Sequence, residues 1–290
     1  MKVKNHCVRP LPLLFTTLCV ACLPNLSAAN SEETFKVCAD PNNPPLSDAK
    51  GQGYENKIAA MFAWELGQKV EYTWFPQRLG FIRNTLKAKL PDSEDYKCDV
   101  VMGVPTGFEL AATTKPYYRS TYALVYRKGL GLDDIKVPED LDKLPADQRK
   151  KLRIAMFDRQ PGTTWLLNHQ LVDQGVPYQT MTGDAGVNTA QILDKDFRDG
   201  KIDMVIAWGP IAGYLMANNT PGTLGMIPMK SEAGLKFDFP MSMGVRFPDK
   251  KRKAQLEELI DRNAEKIQAM LRQYQVPLLD EKGNPLPQAK

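Results

Sequence analysis

The sequence predicts an α/β protein of two lobes, each a mostly parallel sheet flanked by helices. Three observations predict it. Strand and helix patterns alternate along the chain. A polar, proline-punctuated stretch over residues 129–151 interrupts the alternation, which then starts again. Finally, 290 residues exceed what one small core usually spans.

In the first half, FKVCAD is a short strand stopped by PNNPP. YENKIAAMFAWELG carries Ile58, Met61, Phe62 and Leu66 at helical spacing and ends at Gly67. KVEYTWF is a strand stopped by Pro76, and FIRNTLKAKL is helical with Phe81 or Ile82, Leu86 and Leu90 on one face. CDVVMG is a buried strand and TYALVYRKG another. Such an order argues a parallel sheet with crossover helices, whose first and third strands can be neighbours. Residues 129–151 then read as a surface connection.

In the second half, LRIAMF is a strand, and QPGTTWLLNHQLVDQG is a helix with its N-cap at Gly162, Thr163 or Thr164 and Gly175 just past its end. PYQTMT is short and extended. NTAQILDKDFRDG is helical with Ile192 and Phe197 facing in, and the strands KIDMVIAW, LGMIPM and MSMGVRF follow. KAQLEELIDRNAEKIQAMLRQY places Leu256, Leu259, Ile260, Ile267, Met270, Leu271 and Tyr274 on one stripe of a long amphipathic helix. The final VPLLDEKGNPLPQAK reads as extended or disordered.

The first 29 residues have the pattern of a cleavable export signal. Lys2, Lys4 and Arg9 precede the apolar run LPLLFTTLCVACL, and Ser27-Ala28-Ala29 offers small residues, with cleavage after Ala29. The run is too short to span a membrane, so no anchor remains after cleavage; a lipid-modified Cys22 ranks below simple cleavage. Removing this segment takes three of the 38 basic residues and none of the 34 acidic ones, leaving 35 against 34. That balance gives no electrostatic case for nucleic acid. It also removes Cys7, Cys19 and Cys22, so only Cys38 and Cys98 remain. An even count in an exported chain argues a disulfide over two buried thiols. Two sulfurs with only His169 nearby in type are too few for a metal site, and none is expected.

The order of parts resembles a type II periplasmic solute-binding protein. The strings that carry the likeness are FKVCADPNNPPL, CDVVMG, TTKPYYRSTYALVYRKG, QPGTTWLL and GKIDMVIAWGPIA. This resemblance implies one lobe from residues 30–125 with 239–290, a second from 126–238, and a hinge of two strands near Tyr122 and Met243. Longer strings narrow it: VCADPNNPPLSDAKGQGYENKIA, YTWFPQRLGFIRNTLKA and CDVVMGVPTGFELAATTKPYYRSTYALVYR resemble the J proteins of methanol oxidation, the MoxJ/XoxJ family. What this implies is a periplasmic accessory of a pyrroloquinoline-quinone-dependent methanol dehydrogenase. Such a protein interacts with the dehydrogenase, or helps it mature or become active, without a cofactor or catalysis of its own. The alternative is a transporter-type receptor for a small solute that is not an amino acid.

Amino-acid-binding members of the superfamily hold the ligand carboxylate with an arginine in the loop before the PYY-like segment. Here that loop has Glu109 and Leu110. They hold the ammonium with an aspartate after the last parallel strand of the second lobe, where this chain reads Trp208-Gly209-Pro210. Both charged anchors are missing.

Candidate cleft residues remain. Asp40 and Asn42, with Asn43, follow the first strand at the carboxyl edge where open α/β sheets bind ligands, or form an Asx-rich turn before Pro44. Met102 and Pro105 end the CDVVMGVP strand. Arg78 meets an anion or is a surface charge; Thr163 and Thr164 accept an anion at a helix start or only cap it. Trp208 stacks on a ligand or plugs the cleft. No G-x-S-x-G, H-E-x-x-H or G-x-x-x-x-G-K is present, so no catalytic residue is assigned.

Overall fold

The structure, a computed structural model, describes Met1, residues 33–180, Asp184 and residues 186–287. The export signal expected over residues 1–29, its cleavage site, and the Met181-Thr182 end of PYQTMT lie outside the described residues. From Glu33 onward the chain belongs to one compact unit.

The first lobe begins with β1 (Thr34–Ala39), a small hairpin of β2 (Asn42–Asn43) and β3 (Ser47–Asp48), then α1 (Tyr54–Glu65) and β4 (Lys69–Trp74). Gly67 ends α1 in the left-handed conformation at φ +65°, as the sequence predicts. A one-turn α2 (Phe81–Asn84) leads to β5 (Val100–Pro105) and β6 (Ala112–Thr113). The ten-residue helix expected over FIRNTLKAKL is cut short at Thr85, whose hydroxyl bonds back to Phe81 O at 2.7 Å. Leu86 still reaches the core, but Leu90 is exposed.

β7 (Tyr118–Arg127) crosses into the second lobe, which holds α3 (Ala146–Arg149), β8 (Ile154–Phe157), α4 (Pro161–Asn168), β9 (Gly175–Tyr178), α5 (Thr189–Arg198) and β10 (Met204–Trp208). After these come α6 (Gly209–Asn218), β11 (Leu224–Pro228), the return strand β12 (Asp238–Val245), α7 (Lys250–Arg262) and α8 (Ala264–Gln273). Ten strands form a sheet whose main path runs β4-β1-β5-β12-β7-β10-β8-β9. The β1–β4, β1–β5, β8–β10 and β8–β9 pairs are parallel, whereas the crossing strands β7 and β12 pair antiparallel to their neighbours. The crossing occurs where Asp238 faces Thr121 and Tyr122 N bonds Phe237 O. Met243, placed near the hinge from the sequence, lies deeper, fully buried in the core of the first lobe.

Period-two alternation along β7 explains why the second lobe has two cores. Leu124 and Tyr126 join Ile154, Trp165 and Met204 on one face of the sheet. Ala123 and Val125 join Leu193, Phe197 and Val205 on the other. In the first lobe, Phe35, Val37, Ile58 and Phe62 pack with Leu256, Leu259, Ile267 and Leu271 of the returning helices. Opposite them, Cys38, Phe81, Leu86, Cys98 and Val104 form a second cluster. Cys38 and Cys98 are disulfide-bonded with Cα atoms 5.4 Å apart, because β1 and β5 are adjacent.

Four further elements differ from the expectation. The 129–151 stretch is not merely a connection: it contains a 3-10 turn over Pro138–Lys143, and Leu132, Ile135 and Leu141 are buried against the second lobe. The cap of α4 is Gln160, with Pro161 at the first helical position; the helix stops at Asn168, and Gly175 opens β9 instead. On α5, Leu193 is fully buried where Ile192 is only half-buried. The long C-terminal helix breaks at Asn263, a buried residue whose amide bonds Leu259 O at 3.0 Å. Of the two readings of the last segment, the extended one holds over the described residues: Val276 and Leu278 are buried and Leu278 bridges Ser120.

One helix, α6, is not among the elements expected from the sequence. Its glycines explain the miss. A Cβ at Gly209 would overlap Ser120 Oγ and Thr121 O, and one at Gly213 would overlap the Tyr274 carbonyl. Gly209 and Gly213 therefore form a bare face, four residues apart, on which the C-terminal segment lies.

Candidate functional site

Parallel strands of both lobes end at one cleft. On the first lobe these ends carry Asp40 after β1, Gln77 and Arg78 after β4, and Pro105 at the end of β5. The Asp40 carboxylate is occupied: Oδ1 accepts Asn42 N at 2.8 Å and Oδ2 accepts Gln77 N at 2.6 Å. It ties two loops together. Asn43 Nδ2 donates to Gln77 Oε1 at 2.9 Å.

These residues also reach the second lobe. Asn42 Nδ2 donates to Gly186 O at 3.0 Å. Asn188 Nδ2 donates to Asn42 O at 3.2 Å and to Asn43 Oδ1 at 3.3 Å, while its Oδ1 caps α5 by accepting Ala190 N at 2.8 Å. A polar cavity of about 90 Å³ lies among Asp40, Asn42, Gln77, Arg78, Asp184 and Asn188.

Two apolar cavities flank Trp208. One, of about 260 Å³, is lined by Pro105, Tyr122, Trp208, Phe239 and Met241. The other, of about 240 Å³, lies on the second lobe and includes Phe157, Gln160, Leu193, Ile206, Trp208 and Tyr122 in its lining. Trp208, half-buried at the end of β10, is set edge-on against Tyr122 at 5.5 Å and Phe239 at 5.9 Å between centroids. It partitions the cleft and packs across it. The Tyr122 hydroxyl donates to Gln160 Oε1 at 2.7 Å, and burial pushes its pKa up to about 12. A larger cavity of about 360 Å³ lies elsewhere, between the start of α1 and the ends of α6 and α8, away from the strand ends.

The remaining candidates divide. Met102 is fully buried in the hydrophobic core of the first lobe, because β5 is covered on both faces, and is not a cleft residue. The Thr163 hydroxyl donates to Phe157 O at 2.7 Å and holds α4 to β8. Thr164 is exposed. Glu109 and Leu110 are exposed in the loop after β5, and among the described residues no charged side chain lines either apolar cavity.

The sequence reading missed Gln160, Asn188, Phe239 and Glu55. The last is buried near the start of α1; burial, and then the negative charge of Asp40, raise its pKa to about 8. Around it stand Tyr54, Tyr117 and Tyr118, whose hydroxyls are also pushed up by burial. Tyr54 and Tyr118 hydroxyls bond each other at 3.0 Å. Glu55 Oε1 and Tyr117 Oη have no hydrogen-bond partner among the described residues. A Cβ at Gly103 would overlap Glu55 Oε1, so β5 needs glycine at that point for the carboxyl to fit. In the sequence Glu55 is a helix-start carboxylate followed by Asn56 and Lys57, and nothing in that polar run signals burial.

These parts form a two-lobed type II periplasmic binding protein fold. A solved ancestral cationic amino acid solute binding protein shares it with a TM-score of 0.60 and 18% identity over 83% of this chain and 94% of that one. No family model matches. Among curated proteins, MoxJ of Methylorubrum extorquens is 30% identical over 259 residues, 85% of this chain and 82% of that protein. The crystal structure of the periplasmic binding protein XoxJ from Methylobacterium extorquens AM1 has a TM-score of 0.66 and 34% identity, covering 86% of this chain and all of that one. The chain belongs to the MoxJ/XoxJ family.

Proposed function

We propose that this protein is exported to the periplasm and serves as an accessory factor for a pyrroloquinoline-quinone-dependent methanol dehydrogenase. It binds the dehydrogenase, or helps it mature or become active, and does no catalysis itself. Residues 30–125 and 239–290 act as one lobe and residues 126–238 as the other. Family membership supports the system. The observation that carries the protein-partner reading is the cleft: Trp208 stands at the end of β10, and no charged side chain among the described residues lines the apolar cavities beside it, where a charged solute would need paired ions. Trp208 packed on Tyr122 and Phe239 takes up ligand volume with protein.

The direct test mixes the purified protein with the dehydrogenase at micromolar concentration and measures native mass by light scattering. A stable complex is expected, along with reduced methanol oxidation in a deletion strain. No complex together with normal methanol oxidation in that strain would overturn the reading.

A further inference from the structure

We propose that the cavity bordered by β8, β10, α5 and α6 is a binding site for a small uncharged aromatic molecule carrying a hydrogen-bond acceptor. This site lies in the same cleft, on the second-lobe side of Trp208, and is tested without the dehydrogenase. Its walls are Phe157, Leu193, Ile206, Ile211, Tyr122 and Trp208. At about 240 Å³ the space exceeds the roughly 150 Å³ of an apolar cavity known to take up benzene and falls short of common drug-sized pockets. A one- or two-ring molecule fits it.

The wall chemistry selects the ligand. With no charged side chain among the described lining residues, an ionic ligand would lose water without gaining a counter-charge. The Thr189 hydroxyl is already donated, to Gln179 O at 3.0 Å and Thr180 O at 3.2 Å. Gln160 differs. Its amide oxygen accepts the Tyr122 hydroxyl, which leaves its NH₂ without a partner among the described residues and able to donate to a ligand. Trp208 and Phe157 supply ring faces and edges for an aromatic guest.

Acetophenone, neutral and bearing one carbonyl, is the probe. Calorimetry on the intact exported chain should show saturable one-to-one binding, with benzoate at least about tenfold weaker for want of a counter-charge. Of four tryptophans, only Trp208 lines this cavity, so quenching of fluorescence by acetophenone should shrink in Trp208→Phe. Ile211→Phe, which fills the space, should weaken binding about tenfold or more. Should that variant not fold, as judged by circular dichroism, Gln160→Glu provides the second test, because it replaces the donor with a charge. Absence of saturable binding, equal affinity for benzoate, or unchanged binding in a folded Ile211→Phe or Gln160→Glu protein would overturn the proposal.

Discussion

At the carboxyl edge of the first lobe, Asp40, Asn42, Asn43 and Gln77 bond one another and reach across to Asn188. The same edge of the second lobe presents Phe157, Ile206 and Trp208. Both edges arise from parallel strands ending at a common cleft, yet one is polar and self-satisfied and the other apolar. A polar edge whose groups are already paired has little to offer a ligand, since a new bond must replace an existing one. The apolar edge has surface still to bury. The comparison teaches that ligand-binding capacity at such a cleft depends on which groups are left over.

The largest effect that could break this contrast concerns amino acids. Each missing partner of a buried ion pair costs about 3–5 kcal/mol, so lacking both anchors should remove all micromolar affinity. Calorimetry with lysine, arginine or glutamine should therefore show no such binding; a micromolar complex would mean that the polar edge is available after all.

Next is the disulfide, which lies only in the first lobe among the described residues. It closes a loop with a sequence separation of 60. The chain-entropy relation then gives a contribution of roughly 4 kcal/mol. Cys38→Ser with Cys98→Ser should lower Tm by about 10 °C. Thermal melts of the variant and the oxidised protein check it.

Glu55 sharpens the contrast inside the first lobe. Its folded pKa, about 8, is raised above the ordinary 4.5 because burial disfavours the charged form. The stabilising contribution is thus complete below the unfolded value and is lost as pH rises from about 4.5 through 8. Glu55→Gln should lack that loss and gain on the order of 4 kcal/mol relative to the parent at pH 9 over pH 5. Urea unfolding at both values measures it, and parallel curves would contradict the assignment.

The smallest effect tests the polar bridge between the edges. Asn188→Asp keeps the oxygen that caps α5 but loses the amide donation to Asn42 and Asn43, costing about 1 kcal/mol. Asn188→Ala loses both roles and should cost about 1 kcal/mol more. No loss in Asn188→Asp would show that the cross-lobe bonds contribute nothing.

Much of the fold was legible because its elements obey local rules. The FKVCAD and CDVVMG strands, the α1 helix ending at Gly67 and the bond between Cys38 and Cys98 follow from alternation, spacing and cysteine number. Errors fell where long-range contacts decide. The bare Gly209–Gly213 face makes sense only with the C-terminal segment upon it, and the buried Asn263 break appears only once α7 and α8 pack. Of the cleft candidates, Asp40, Asn42, Arg78, Pro105 and Trp208 do line cavities there. Met102 could not be told from them, since a strand buried on both faces has the same residue types as one ending in a pocket.

By itself the sequence determined the alternation of strands and helices, the export-signal pattern that leaves Cys38 and Cys98 as the expected pair, and the residues Glu109–Leu110 and Trp208–Gly209 at the places where the resemblance puts charged anchors. Each is a property of residue type and order. Only the tertiary structure decided that Asp40 spends its carboxylate on two backbone N–H groups, that Glu55 is buried, and that Trp208 divides an apolar cleft with Gln160 beside it. Pairing and burial are set by distances across the fold, and a residue's type leaves those open.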